Sequence, residues 1–176
     1  MRIAQADWQG LPSEPWKNGG GVTRTLAVDA QAPPRWRISI ADIERDGPYS
    51  RFPGHDRVSV VLSGEGVVLQ GGGEGLVLLP GVPTAFAGDV AFQSRLLGGP
   101  VRVLNLFVLR GAAQATVSCS GWGQTVPLAL AAGSLAQGAG AAQVFGFTVE
   151  GGGGPLREGR ADAVQLDLRV AAPRIA

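Results

Sequence analysis

RWRISIA, residues 35–41, sets the frame for the whole chain. Trp36, Ile38 and Ile40 fall on one side of a two-residue period, and Arg37, Ser39 and Ala41 on the other. Side chains alternate faces along a β-strand, so this period predicts a strand with one apolar and one polar face. Working outward, residues 22–28 predict an earlier strand behind the turn Gly19-Gly20-Gly21. Residues 46–54 read as a loop with two turn signals, Asp46-Gly47-Pro48 and Phe52-Pro53-Gly54. Strands follow at 57–62, 67–69 and 76–79, separated by Ser63-Gly64-Glu65-Gly66 and the triple glycine 71–73. Residues 101–109 form an apolar run on both faces, interrupted at Asn105. The later half repeats the style at 116–119, 144–149 and 164–170, where Val164, Leu166 and Leu168 alternate with Gln165, Asp167 and Arg169. Only residues 128–137 could support a short helix, and Gly133 weakens it. Many short strands with glycine and proline turns predict an all-β sandwich or barrel, and barrel closure removes exposed strand edges.

Composition narrows the function. At 176 residues the chain suits one compact unit or two small packed halves, and needs neither disulfide nor metal to hold a core. The formal net charge is +1, with no basic run and no acidic tail, which speaks against nucleic acid and anionic membrane as partners. No apolar stretch approaches the roughly 20 residues of a membrane-spanning helix. A single cysteine, Cys119, and a start without an apolar signal core lead to the expectation of a cytoplasmic protein. Lysine occurs once, at Lys17, against fourteen arginines. Genomic base composition explains that bias. A lysine kept against it suggests a position where a flexible ammonium is required.

Five words lie in order in the first 110 residues: PWKNGGGVTR (15–24), WRISIADIERDGPYSRFPGHDR (36–57), LSGEG (62–66), FAGD (86–89) and LLGGPVRVLNLFVLRG (96–111). Together, at this spacing, they resemble the HutD/Ves family. The resemblance thins after Gly111, where RADAVQLDLR (160–169) keeps a cupin-style ending. It implies a bicupin of two cupin-like halves, 1–110 and 111–176, with little helix. It also implies a link to histidine utilisation, in an accessory or regulatory role that senses a small carboxylate such as N-formylglutamate.

Metal-using cupins place two close histidines and a glutamate on one strand and another histidine later. Here His55 is the one histidine, and Thr84, Ala85 and Phe86 stand where the later ligand would be. One imidazole cannot build a multi-histidine site, and no acidic cluster suggests magnesium or calcium. No metal and no cofactor are expected. His55 in its turn is expected to serve a loop or surface role rather than act as a base, and Cys119 a small core residue rather than a nucleophile.

The candidate ligand-binding residues are Lys17, Asn18, Arg37, Ser39, Arg57 and Asn105. Glycines 19–21 let a backbone approach an anion, with Lys17 supplying charge and Asn18 a two-way hydrogen bonder; the competing reading is that Trp16 anchors a turn and Lys17 is solvated. Arg37 and Ser39 share the polar face of their strand, and Arg57 begins another. A guanidinium fork suits a carboxylate, but Asp42, Asp46 or Asp89 could instead pair with either arginine. Asn105 must find partners, because an unpaired buried amide costs about 1–3 kcal/mol; it either fastens a loop or reaches into a pocket. Asp46 and Ser50 could form the pocket's rim, although an Asx-type turn is the simpler reading.

Cationic and amide groups without a base–nucleophile pair point to a barrel that binds a small carboxylate metabolite. A homodimer is left open. The alternatives are a metal-free cupin enzyme (isomerase, lyase or hydrolase) acting on a small polar acid, and a scaffold with a vestigial pocket.

Overall fold

The computed structural model describes residues 1–73, 75–120, 128–129, 143–150 and 163–170. The chain opens with a two-residue strand β1 (Arg2–Ile3), one helical turn α1 (Gln5–Gln9) and the short strand β2 (Glu14–Pro15). Nine strands follow: β3 (Gly21–Val28), β4 (Trp36–Ile43), β5 (Gly47–Tyr49), β6 (His55–Ser63), β7 (Val67–Gln70), β8 (Leu76–Leu78), β9 (Thr84–Ala87), β10 (Phe92–Leu96) and β11 (Val101–Leu109). The later half contributes β12 (Ala113–Ser120), β13 (Leu128–Ala129), β14 (Gln143–Glu150) and β15 (Ala163–Val170). The all-β expectation holds: apart from the one helical turn, every regular element among the described residues is a strand.

The strands form three sheets, and the middle one organises the molecule. Its order is β2-β3-β4-β11-β6-β9, with β11 central and antiparallel to both β4 and β6. One face carries Trp36, Ile38, Ile40, Val58, Val60, Leu104, Leu106 and Val108 into a buried cluster with Val117, Phe147, Val149, Val164 and Leu166. Those partners belong to the sheet β1-β14-β15-β12-β13. The opposite face places Ala41, Val61, Val101 and Val103 in a second cluster with Tyr49, Val67, Leu69, Leu78 and Phe92, from the sheet β5-β10-β7-β8. A strand with a sheet on each side must be apolar on both faces, which is the pattern of residues 101–109. Each fully buried Leu or Ile contributes about 1.5–3 kcal/mol of transfer free energy, so this doubly covered strand is a main anchor of the fold.

Three local expectations need correction. The short helix expected at 128–137 is not seen where the chain is described: Leu128 and Ala129 pair with Val117 and Thr116 of β12, and 130–137 lie outside the described residues. The helix that is present, α1, spans one turn, too short for an apolar period to show. Asp7 accepts the Ala4 N–H at 3.0 Å, and Trp8 is completely buried with its indole N–H donated to the Glu150 carbonyl at 3.3 Å. Within the expected loop 46–54, Gly47–Tyr49 is a strand, because β10 pairs with it in register from Phe92↔Tyr49 to Ser94↔Gly47. The first strand pairs in parallel with β14, so the N-terminal segment is built into the sheet of the later half. No helix among the described residues is long and apolar enough to cross a membrane.

Candidate functional site

The polar face predicted for β4 opens into a cup between the middle sheet and the β5-β10-β7-β8 sheet. Strand register stacks this face in rungs. Ala41, Val103 and Val61 are opposite one another and form an apolar floor. The next rung is polar across five strands: Thr25, Ser39, Asn105, Ser59 and Thr84. The rung beyond it reads Arg37, Phe107, Arg57 and Phe86. Neighbouring strands lie about 4.8 Å apart, so the backbones of Arg37 and Arg57, two strands apart, are separated by about 10 Å. Both side chains, with Ser39, Ser50 and Asn105, line one cavity of about 180 Å³. That is many times the roughly 10–15 Å³ of probe space one water needs, so the cavity has room for a small molecule.

Arg57 is the unusual group. It is buried, 5% exposed, yet no carboxylate among the described residues pairs with it. The Asn105 amide oxygen takes its place, accepting from Arg57 Nη2 at 2.8 Å and Nε at 3.3 Å and from the Ser59 hydroxyl at 2.8 Å. Asn105 therefore serves the pocket's arginine and does not fasten a loop. Aromatic rings surround the cation: its central carbon is 4.1 Å from the Tyr49 centroid, 4.8 Å from Phe107, 5.4 Å from Phe86 and 5.8 Å from Phe52. The negative faces of these rings offset part of the missing counter-charge. Burial still disfavours the ionised form and pulls the Arg57 pKa below its usual value. An arginine nonetheless stays charged at neutral pH.

Arg37 sits differently, partly exposed at the other side of the cavity. It donates to the Thr25 hydroxyl from Nη2 at 2.7 Å and lies 4.0 Å from the exposed carboxylate of Glu14. Asp42 and Asp89, the carboxylates that could have neutralised the pocket arginines, are engaged elsewhere. Asp42 holds Arg24 at 2.9 Å and Arg102 at 2.6 Å, and Asp89 pairs with Arg110.

The sequence profile of the HutD family matches residues 9–151, a span that contains every residue lining the cup. The chain belongs to the HutD family. The solved HutD of Pseudomonas fluorescens SBW25 is 27% identical to it, with a TM-score of 0.61 over 92% of this chain and 90% of that one. A conserved protein of unknown function from Pseudomonas aeruginosa PAO1 shares the fold at 22% identity, with a TM-score of 0.56 over 93% and 89% of the two chains. A 21.2 kDa protein of the hutC 3′ region in Pseudomonas putida is 42% identical over 102 residues, covering 56% of this chain and 54% of that protein. Protein Ves of Citrobacter koseri is 35% identical over 115 residues, covering 63% and 60%. The match spans less than two thirds of each of these two curated relatives.

In this HutD-family chain the cup brings together Arg37, Ser39, Arg57 and Asn105 as the sequence pattern suggested, with Ser50 at its edge. Lys17, Asn18 and Asp46 are exposed and are not among the lining residues. Asn18 closes a turn, its amide oxygen accepting the Gly20 N–H at 3.0 Å, while Gly19 N–H goes to the Trp16 carbonyl at 2.9 Å. Those N–H groups are thus occupied within the turn. Gly21 is required for a different reason: a Cβ there would stand 2.3 Å from the Asp42 carbonyl of the adjacent strand. Trp16, one residue before Lys17, is the part of that motif that faces the cup, its indole N–H donated to Thr23 at 2.8 Å. Asp46 accepts the Leu96 N–H at 2.8 Å and fastens the β5–β10 edge. His55 contacts the Pro53 carbonyl through Nδ1 at 2.9 Å, outside the lining. Cys119 is buried in the apolar cluster behind the middle sheet, and burial pushes its thiol up to about 11.

The wall residues that the strand pattern had not singled out are Pro15, Trp16, Thr23, Tyr49, Phe52 and Phe107, with Glu14 at the rim. Phe107 was within reach of the pattern, because it lies two residues beyond Asn105 on the same face. Among the described residues no group of three or more His, Cys, Asp or Glu side chains gathers as metal ligands. The polar groups facing the cup are guanidinium, amide and hydroxyl groups, with the Glu14 carboxylate at its rim.

Proposed function

We propose that this HutD-family chain is a cytoplasmic, metal-independent binding protein. Its cup takes a small organic acid, and it serves histidine utilisation in an accessory or regulatory role. The observation that carries this reading is Arg57: a buried guanidinium held by a neutral amide, with its counter-charge missing. A carboxylate entering the cup supplies that charge in a water-poor site, where an ion pair with good geometry is far stronger than at the surface. Arg37 on the far side offers a second anchor, so an acid with two polar ends fits better than acetate. N-formylglutamate has that form, and the relation to a protein of the hutC 3′ region favours a ligand from histidine breakdown. Binding is favoured over turnover because the one carboxylate among the described lining residues, Glu14, is exposed at the rim next to Arg37. Proton transfer needs an acid or base placed against the reacting atom.

A thermal-shift panel of N-formylglutamate, urocanate and glutamate tests it. A ligand present at 100 times its Kd stabilises the native state by about 2.7 kcal/mol, which for a chain of this size raises Tm by about 5–11 °C. N-formylglutamate is expected to give the largest rise. A panel in which no acid moves Tm at 10 mM (on the order of the weakest useful affinity) refutes the proposal.

A further inference from the structure

Resting on the reading of the cup as an organic-acid site, we propose that Asn105 is the positioning residue that sets the cup's preference for negative charge. Each partly buried arginine among the described residues meets a carboxylate: Arg24 and Arg102 share Asp42, Arg35 pairs with Asp29, and Arg37 lies near Glu14. The buried one, Arg57, meets an amide instead. An aspartate would have nearly the same shape and would accept the same bonds, but it would cancel the charge. Asn105 keeps the geometry and leaves the charge for the ligand.

The orientation is equally specific. A guanidinium has five N–H donors. Asn105 engages the Nε side through Nε and Nη2, and Ser59 donates to the same amide oxygen, which keeps that oxygen turned toward the arginine. Nη1 makes a long 3.5 Å contact with the Ser50 carbonyl, and the Tyr49 side chain lies beside the guanidinium. The rings of Tyr49 and Phe107 lie against the guanidinium and leave its edge as the approach. The ligand's carboxylate therefore meets Nη1 and Nη2 end-on, in a bidentate fork, and displaces the long Ser50 contact. Asn105 acts through Arg57 and does not itself touch the acid.

The experiment compares wild type, Asn105→Asp and Ser59→Ala with N-formylglutamate, glutarate and glutaramide as probes. In low-salt buffer without ligand, Asn105→Asp is expected to raise Tm, because it supplies the absent counter-charge. Calorimetry should show its affinity for both acids reduced by at least about tenfold, with the acid-over-amide preference lost. Ser59→Ala, with Tm little changed, should weaken the acids several-fold while keeping that preference. The Arg57 Nε–H resonance, observed by ¹⁵N NMR, should shift on adding acid to wild type and not to Asn105→Asp. A fall in Tm for Asn105→Asp, or acid affinities equal to wild type, overturns the proposal; if Asn105→Asp does not fold, an unchanged acid affinity in Ser59→Ala does so. A wild type silent toward every acid instead removes the underlying reading of the cup, an outcome distinct from wild type and Asn105→Asp binding alike.

Discussion

Replacing Arg57 by Met is expected to separate stability from binding. The substitution removes two hydrogen bonds from a charged donor, worth about 1.5–3 kcal/mol each, and ring contacts worth roughly 2 kcal/mol when desolvated. It also removes the desolvation cost of a buried ion, several kcal/mol after relaxation, and lets an apolar side chain of similar length fill a pocket of Tyr49, Phe86 and Phe107. The opposing contributions nearly cancel, so folding stability should change by no more than about 2 kcal/mol in either direction, or about 4–8 °C in Tm. Binding has no such compensation. Losing one partner of a buried charge pair costs about 2–5 kcal/mol, which is 30-fold or more in Kd. Differential scanning calorimetry with and without 10 mM N-formylglutamate (about the millimolar range of a weak ligand) reads both effects: a Tm near wild type, and no further rise on adding acid. A variant whose Tm collapses would show Arg57 to be a structural cation, and one that still responds to the acid would place the binding charge elsewhere.

Other consequences concern the scaffold. Trp8→Ala should destabilise by about 3–5 kcal/mol, because the side chain is fully buried between the N-terminal segment and the later half; chemical denaturation measures it, and a loss below 1 kcal/mol (on the order of a surface substitution) would contradict that packing. The Arg110 guanidinium and the Gly54 N–H hold the Asp89 carboxyl at about 2, below its usual range. A folded pKa below the unfolded one adds stability that is complete above the unfolded pKa and is lost as pH falls through the folded one. Acid titration of Asp89→Asn should therefore show a shallower loss of stability between pH 4 and 2 than wild type (roughly the window between those two pKa values), and identical curves would refute the role. Cys119 should resist thiol reagents at pH 8 in the native protein and react fully in guanidinium, since burial raises its pKa to about 11; rapid native labelling would show that the apolar cluster opens.

Much of this architecture was legible because β-strands carry their own face code. The alternation at 36–41 assigned Trp36, Ile38 and Ile40 to one layer and Arg37, Ser39 and Ala41 to another, and the structure places them so. The two-sided apolarity of 101–109 is that of a strand covered on both faces, as the structure shows, with Asn105 and, at its start, Arg102 as the polar exceptions. What the sequence could not convey is which strands become neighbours. Tyr49 and Phe86 reach Arg57 from β5 and β9, three- and four-residue strands whose pairing depends on distant segments. Such short pieces carry too little period to be assigned locally. Lys17 illustrates the complementary limit. Its rarity suggested a ligand contact, but composition says nothing about direction, and the turn that Asn18 closes aims Trp16, not Lys17, at the cup.

The most direct test of the central claim is a crystal structure of the full chain grown with N-formylglutamate. The expected result is one carboxylate within about 2.7–2.9 Å of Arg57 Nη1 and Nη2, its oxygens in the guanidinium plane, and the other polar end turned toward Arg37. An acid bound on the outer surface, or a cup in which Arg57 faces water alone at saturating ligand, would contradict the account.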